Sequence, residues 1–214
     1  MLKNIKNRFM SIIINQEFIL YDEAVKIMQS IVENIAQHRN KDVVWLLEHH
    51  SIYTSGYMTY NSWVNRYGHF ISGIPLIATE RGGQITYHGP GQRICYFMMD
   101  LRRKYGEINL RKFLDDIHQV IIDVLAEFGV DGIKDPIYPG IWVKSGASMN
   151  KIAAVGIRIR KGVSYHGVAL NINTELSFFH LIKPCGIDAE DRGVTSLGAI
   201  LNKYIHVKDV DDIL

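Results

Sequence analysis

Two residue types in this chain carry reactive chemistry in unusual settings. Cys185 lies in "HLIKPCGID", between Pro184 and Gly186. Proline fixes φ and glycine permits positive φ, so the stretch reads as a tight turn that presents a thiol. The other cysteine, Cys95 in "RICYFMMDL", sits in an apolar run and reads as a packed structural residue. A thiol attacks a carbonyl as its thiolate, and a free cysteine is little ionised at neutral pH without a cation or base beside it. His88, His166, His180, Lys183 and Lys151 are the candidates for that partner. Lys151 opens the run "KIAAVGIRI" in phase with Ala153, Val155, Ile157 and Ile159. Alternation sets it on the apolar face, away from Arg158 and Arg160. An amine held against apolar surface gives up its proton more readily, which suits a general base; at a strand end a lysine also snorkels to water.

The elements that must position these residues are legible in outline. "KIAAVGIRIRKGVSYHGVALNIN" reads as a hairpin turning at Lys161-Gly162. That register sets Gly156 opposite Gly167 and Ala154 opposite Ala169. The ribbon is then nearly bare at its centre, as where a ligand or another backbone approaches closely. Strict alternation, however, puts Lys151 on the opposite face from this patch, unless a twist or bulge intervenes. "RGGQITYHGPGQ" gathers Gly82, Gly83, Gly89 and Gly91 around the polar tips of Gln84, Thr86, Tyr87 and His88, and matches neither standard phosphate-loop spacing. His49 and His50 end the strand "DVVWLLEHH".

Two helices carry apolar stripes at helical spacing: "DEAVKIMQSIVENIAQH", with Asp22 as its expected cap, and "NLRKFLDDIHQVIIDVLAEFG", with Gly129 as its stop. The start, "MLKNIKNRFMSIIIN", carries Lys3, Lys6 and Arg8 and no acid before Glu17, as a transit peptide does; "FMSIIIN" also reads as a first strand running into a helix. Mixed strands and helices with an antiparallel hairpin define an α+β class, with helices packed on a mixed, partly antiparallel sheet. The expectation is a single domain over residues 1–214.

Composition narrows the classes. Of 214 residues, 47% are hydrophobic and 21% charged, as in ordinary globular chains. A formal net charge of +2 gives no reason to expect nucleic acid. Two cysteines make no disulfide framework, and no CxxC or HExxH points to a metal. No apolar run approaches the ~20 residues of a membrane span. A soluble protein of a reducing compartment, the cytoplasm, is expected.

Four segments in order, "RGGQITYHGPGQ", "PGIWV", "KIAAVGIRIRKGVSYHGVALN" and "PCGIDAEDRGVTSL", resemble the octanoyltransferases of lipoate biosynthesis, also called lipoate–protein ligase B. The resemblance implies a fold like the biotin and lipoate protein ligases. It implies transfer of an octanoyl group from octanoyl-acyl carrier protein to a lysine of lipoyl domains: those of 2-oxoacid dehydrogenase E2 subunits and the glycine cleavage H protein. No cofactor or metal enters. It implies that Cys185 carries the acyl group as a thioester and that Lys151 activates the thiol. Substrate contact falls on Arg81, Gly82, Gly83, Gln84, Ile85, Thr86, Tyr87 and His88, on Ala154, Val155 and Gly156, and on Gly167, Val168 and Ala169. The chain departs from the family's usual E-H-P-P-V-Y-T, since "EHHSIYT" places His50 and Ser51 at the prolines. Three rivals remain: an ATP-dependent ligase on the same fold, a Cys–His hydrolase using His88 or His180, and a non-enzymatic binding module.

Overall fold

A computed structural model describes residues 10–182 and 191–214. The central sheet contains strands β1 (Met10–Ile19), β2 (Asp42–His49), β7 (Gln92–Met98), β11 (Val163–Asn171), β10 (Ser148–Arg160), β9 (Ile141–Ser145) and β8 (Gly132–Lys134), in that spatial order. A short strand β12 (Arg192–Val194) pairs with the start of β10. β1 runs parallel to β2 and β12 parallel to β10, while the other pairs are antiparallel, so the sheet is mixed. β7 and β11 lie at the centre of the sheet and are buried along their whole length, on both faces.

A long helix lies on each face. α1 (Tyr21–Ala36) lays Ala24, Met28, Val32 and Ile35 against Trp45, Ile94 and Tyr96. Each large apolar side chain so buried contributes roughly 1.5–3 kcal/mol. α4 (Leu110–Glu127) lays Phe113, Ile117, Ile121 and Val124 against the other face, with Leu46, Cys95 and Val168. Asn109 caps α4 by accepting from Lys112 N at 3.0 Å, and Gly129, at φ +72°, ends it. Asp22 is not the cap of α1. Leu20 holds that position without a side-chain bond, and Asp22 and Glu23 lie in the first turn, where negative charge complements the helix dipole.

A second, smaller sheet carries the glycine-rich segment. It orders β4 (Phe70–Ile71), β5 (Ile74–Thr79), β3 (Ile52–Gly56) and β6 (Thr86–His88), beside helix α2 (Tyr57–Tyr67). A 3-10 helix, Leu176–Leu181, adds Phe179 to this core. At the C-terminus α6 (Val207–Ile213) is locked down by a buried pair. Asp211 accepts from Arg93 Nε at 2.8 Å and from Nη2 at 2.6 Å. No helix among the described residues is long and apolar enough to cross a membrane.

Candidate active site

The β10–β11 hairpin builds the floor. Its turn is Lys161-Gly162, with φ of 53° and 83°, the pair of left-handed residues that matches strand twist. Ala154 therefore lies opposite Ala169 and Gly156 opposite Gly167, as expected. Gly167 admits no side chain, because a Cβ would fall 1.8 Å from the Cys95 carbonyl oxygen. The loop of residues 80–85 forms the roof. Arg81 folds back and donates to Thr54 Oγ1 and Thr54 O, at 2.8 and 2.7 Å, and to Gln84 O at 3.1 Å. A Cβ on Gly156 would meet the Arg81 stem at 3.3 Å, so floor and roof are in near contact there.

Between them lies a cleft of about 440 Å³. Arg81, Gly82, Gly83, Gln84, Thr86 and His88 line it, together with Ala154, Val155, Gly156, Gly167, Val168 and Ala169. Ile85 and Tyr87, named with them on the sequence, lie elsewhere. Both are buried in the core of the second sheet, where Tyr87 stacks on Phe178 and bonds Ser51 Oγ. Alternation along β6 turns Tyr87 away from Thr86 and His88.

Lys151 is on the same side of the sheet as the small-residue patch, contrary to strict alternation. The β9–β10 register breaks between Lys151, opposite Trp142, and Ala153, opposite Ile141. Ile152 is the extra residue of a bulge, and Ile152 and Ala153 both pack into the α4 core. The phase of β10 reverses there. Lys151 joins Ala154 and Ala169 around a small cavity also lined by Thr86, Gln92, Asn171, Phe179 and Val194. Thr86, Ala154 and Ala169 line the larger cleft as well, so the two spaces adjoin.

The Lys151 side chain is 3% exposed, and its Nζ has no hydrogen-bond partner among the described residues. It lies 4.9 Å from the Trp142 ring centroid, and the Arg192 guanidinium lies 5.1 Å from the same centroid. Asp135 holds Arg192 there by an ion pair. Gly140, at φ +121°, lets the lysine stem pass: a Cβ would be 2.5 Å from Ala153 O and 3.3 Å from Lys151 Cδ.

Cys185 and Lys183 lie outside the described residues. The chain on either side of that segment converges on Lys151. Phe179 and Val194 both line the lysine's cavity. Beyond the segment, Asp191 O accepts from Met149 N at 2.8 Å, β12 pairs with Met149–Lys151, and Thr195 N donates to Lys151 O at 2.9 Å.

A polar chain joins the cleft to this corner. Gln92 Nε2 donates to Asn171 Oδ1 at 2.9 Å and to Tyr87 O at 3.3 Å. Its Oε1 must then accept from His88 Nδ1, 2.8 Å away, which leaves His88 Nε2 as an acceptor. Asn171 Nδ2 donates to Thr195 O at 2.9 Å. Burial pushes His88 down to about 3 and His49 and His166 to about 4. His49 donates from Nδ1 to Ile19 O and accepts from the Tyr96 hydroxyl, each at 2.7 Å. Burial raises the Cys95 thiol to about 12, as befits a packed residue. Gln92, Asn171 and Trp142 were not singled out on the sequence. They sit in stretches of β7, β11 and β9 that are buried whichever face they take, so sequence alternation does not mark them.

Residues 20–214 match the family described as Lipoyl protein ligase A/B catalytic domain. The chain belongs to that family. Within it, the relatives are octanoyltransferases. The chain is 41% identical to the octanoyltransferase of Anaplasma phagocytophilum, over 94% of this chain and 93% of that one. It is 43% identical to that of Parvibaculum lavamentivorans, over 89% and 83%. It is thus an acyltransferase of the octanoyltransferase branch. The fold is shared more widely. A bi-partite lipoate protein ligase from Thermoplasma acidophilum superposes with a TM-score of 0.62 at 14% identity, covering 95% of this chain and 79% of that one. LipL1 of P. falciparum, solved in complex with lipoate, gives 0.66 at 15% identity, over 96% and 59%.

Proposed function

We propose that this enzyme moves an octanoyl group from octanoyl-acyl carrier protein to a lysine of lipoyl domains, by way of a thioester on Cys185, in the cytoplasm. The acceptors are the lipoyl domains of 2-oxoacid dehydrogenase E2 subunits and the glycine cleavage H protein. One observation carries the reading. A buried amine without a partner among the described residues adjoins a cleft floored by small residues, and both flanks of the Cys185 segment line the amine's cavity.

Each step balances without a nucleotide. Lys151 takes the thiol proton, and the Cys185 thiolate attacks the donor's thioester carbon. The carrier's thiolate leaves and takes that proton from the lysine ammonium. One thioester replaces another, so little free energy is lost. In the second half the acceptor lysine, as its neutral amine, attacks the acyl-enzyme. Lys151 accepts the amine proton and returns it to the Cys185 thiolate as the amide forms. Ala154, Gly156, Gly167 and Ala169 leave the acyl chain room to lie along the sheet, beneath Arg81 and Gly82.

Intact-mass measurement with octanoyl carrier protein tests this. A hydroxylamine-labile adduct on Cys185 that disappears on adding a lipoyl domain is expected. A label on Cys95, no adduct, or turnover only with free octanoate and ATP rejects it.

A further inference from the structure

The cleft does not stop at the floor. β9 pairs with β10 only as far as Ala153, and β12 only with Met149–Lys151. Among the described residues no strand pairs with the outer edge of Ala154–Arg160. The cleft is lined by Ala154 and Gly156 from one face of β10 and by Val155 and Ile157 from the other. It therefore wraps around this free edge. On the far side its wall is α4, through Leu110, Leu114 and His118, with Pro139 beside them. His118 Nε2 is buried and has no hydrogen-bond partner among the described residues. The edge faces a trough with an apolar wall and one orphan nitrogen.

An unpaired strand edge offers alternating N–H and C=O groups, and its natural occupant is an extended chain of amides. A carrier-bound acyl thioester is two linear chains joined at the reacting carbon, and one cleft with two arms suits that shape. We propose that the second arm, along the outer edge of β10, holds the donor's phosphopantetheine arm as a pseudo-strand. The inference rests on the acyl-transfer reading given above. The two amides of the arm pair with the β10 edge. His118 Nε2 takes a further polar group, and Leu110 and Leu114 cover the methylenes. From Ala154 to Arg160 the edge runs about 20 Å, at ~3.3 Å per residue, which is comparable with the extended arm. Arg158 and Arg160, both exposed, stand at the far end and match the charge of its phosphodiester. A polypeptide strand from the acceptor is the rival occupant. The observations favour the donor, because a helix wall beside the edge leaves less room for side chains than an open ledge does.

The test compares rates of Cys185 acylation by S-octanoyl phosphopantetheine, S-octanoyl pantetheine and the octanoyl thioester of ethanethiol. In the native enzyme the two arm-bearing donors should show kcat/KM at least about ten-fold above the ethanethiol donor, the effect of one or two hydrogen bonds. Leu114→Trp, which fills the trough, should bring the ratio of their kcat/KM to that of the ethanethiol donor down to about one. His118→Leu should act in the same direction more weakly. Replacing Arg158 and Arg160 together by glutamine should erase the advantage of the phosphate alone. Equal rates for all three donors in the native enzyme overturn the proposal, and need no variant to fold. So does a Leu114→Trp enzyme that is slowed only in transfer to the lipoyl domain, which would give the edge to the acceptor. If no donor acylates native Cys185, the acyl-transfer reading itself has failed, and this inference with it.

Discussion

Lys151 and Ala154 face the same side of the central sheet, three residues apart on one strand, because Ile152 is the extra residue of a bulge. In a regular strand of these same residues the amine would point into the α4 core, and the small-residue patch would have no amine beside it. Deleting Ile152 removes the bulge together with its extra residue and leaves Lys151 and Ala154 two places apart on one face, so turnover should survive wherever the fold does. A circular dichroism spectrum like the native one together with lost activity would refute this.

Lys151 should show opposite effects on activity and stability. A buried amine with no partner among the described residues is costly, and an apolar chain of similar length removes the cost. Lys151→Met should raise the unfolding free energy by about 1 kcal/mol and lower both half-reactions by about 10²–10⁴-fold. Denaturant unfolding and single-turnover kinetics read the two effects separately. A destabilised but active variant would contradict both.

The two central glycines should differ in kind. Gly167→Ala would place Cβ 1.8 Å from a backbone oxygen that cannot move away cheaply, so loss of soluble folded protein is expected. Gly156→Ala would meet only the flexible Arg81 stem, at 3.3 Å. That variant should fold, with KM for the acyl donor raised and kcat less affected.

Acid should weaken the fold through its buried histidines. Burial holds His49 neutral, lowering it from the ordinary 6.5 to about 4. The unfolded chain binds a proton there that the folded chain refuses. The stability is fully present above pH 6.5 and is lost as pH falls toward 4, by roughly 3 kcal/mol for His49 alone. His166 and His88 are depressed in the same way and add to the slope. Urea unfolding at pH 7.5, 6 and 5 should give steadily falling free energies; a flat profile would argue against neutral burial.

Breaking the Arg93–Asp211 pair should be severe. Both groups are buried, so Asp211→Ala strands an uncompensated guanidinium, at a cost of about 3–5 kcal/mol. Thermal unfolding should show it, and replacing both residues by apolar ones of similar volume should recover much of the loss.

The hairpin was legible because its turn residues and alternation agree, and the register followed directly from Lys161-Gly162. The cleft glycines were legible for the same reason. The bulge was not, because a single inserted residue leaves no mark in an apolar run where either phase looks acceptable. Asp22 misled as a cap, since the cap position lies two residues earlier, at Leu20, and Asp22 serves the first turn by its negative charge. The amide chain from His88 through Gln92 and Asn171 was hidden for a general reason: hydrogen bonds between residues 79 apart in sequence have no local signature.

The start of β10 pairs with β9 on one edge and, on the other, with β12, laid parallel to it, with Thr195 bonded to the lysine's own carbonyl. A parallel neighbour cannot be supplied by a short hairpin, so it is added only after the chain has travelled through some forty further residues. A chain that stops short of residue 192 keeps the residues of the floor and loses one wall of the amine's chamber. Such a truncated product should be inert rather than half-active.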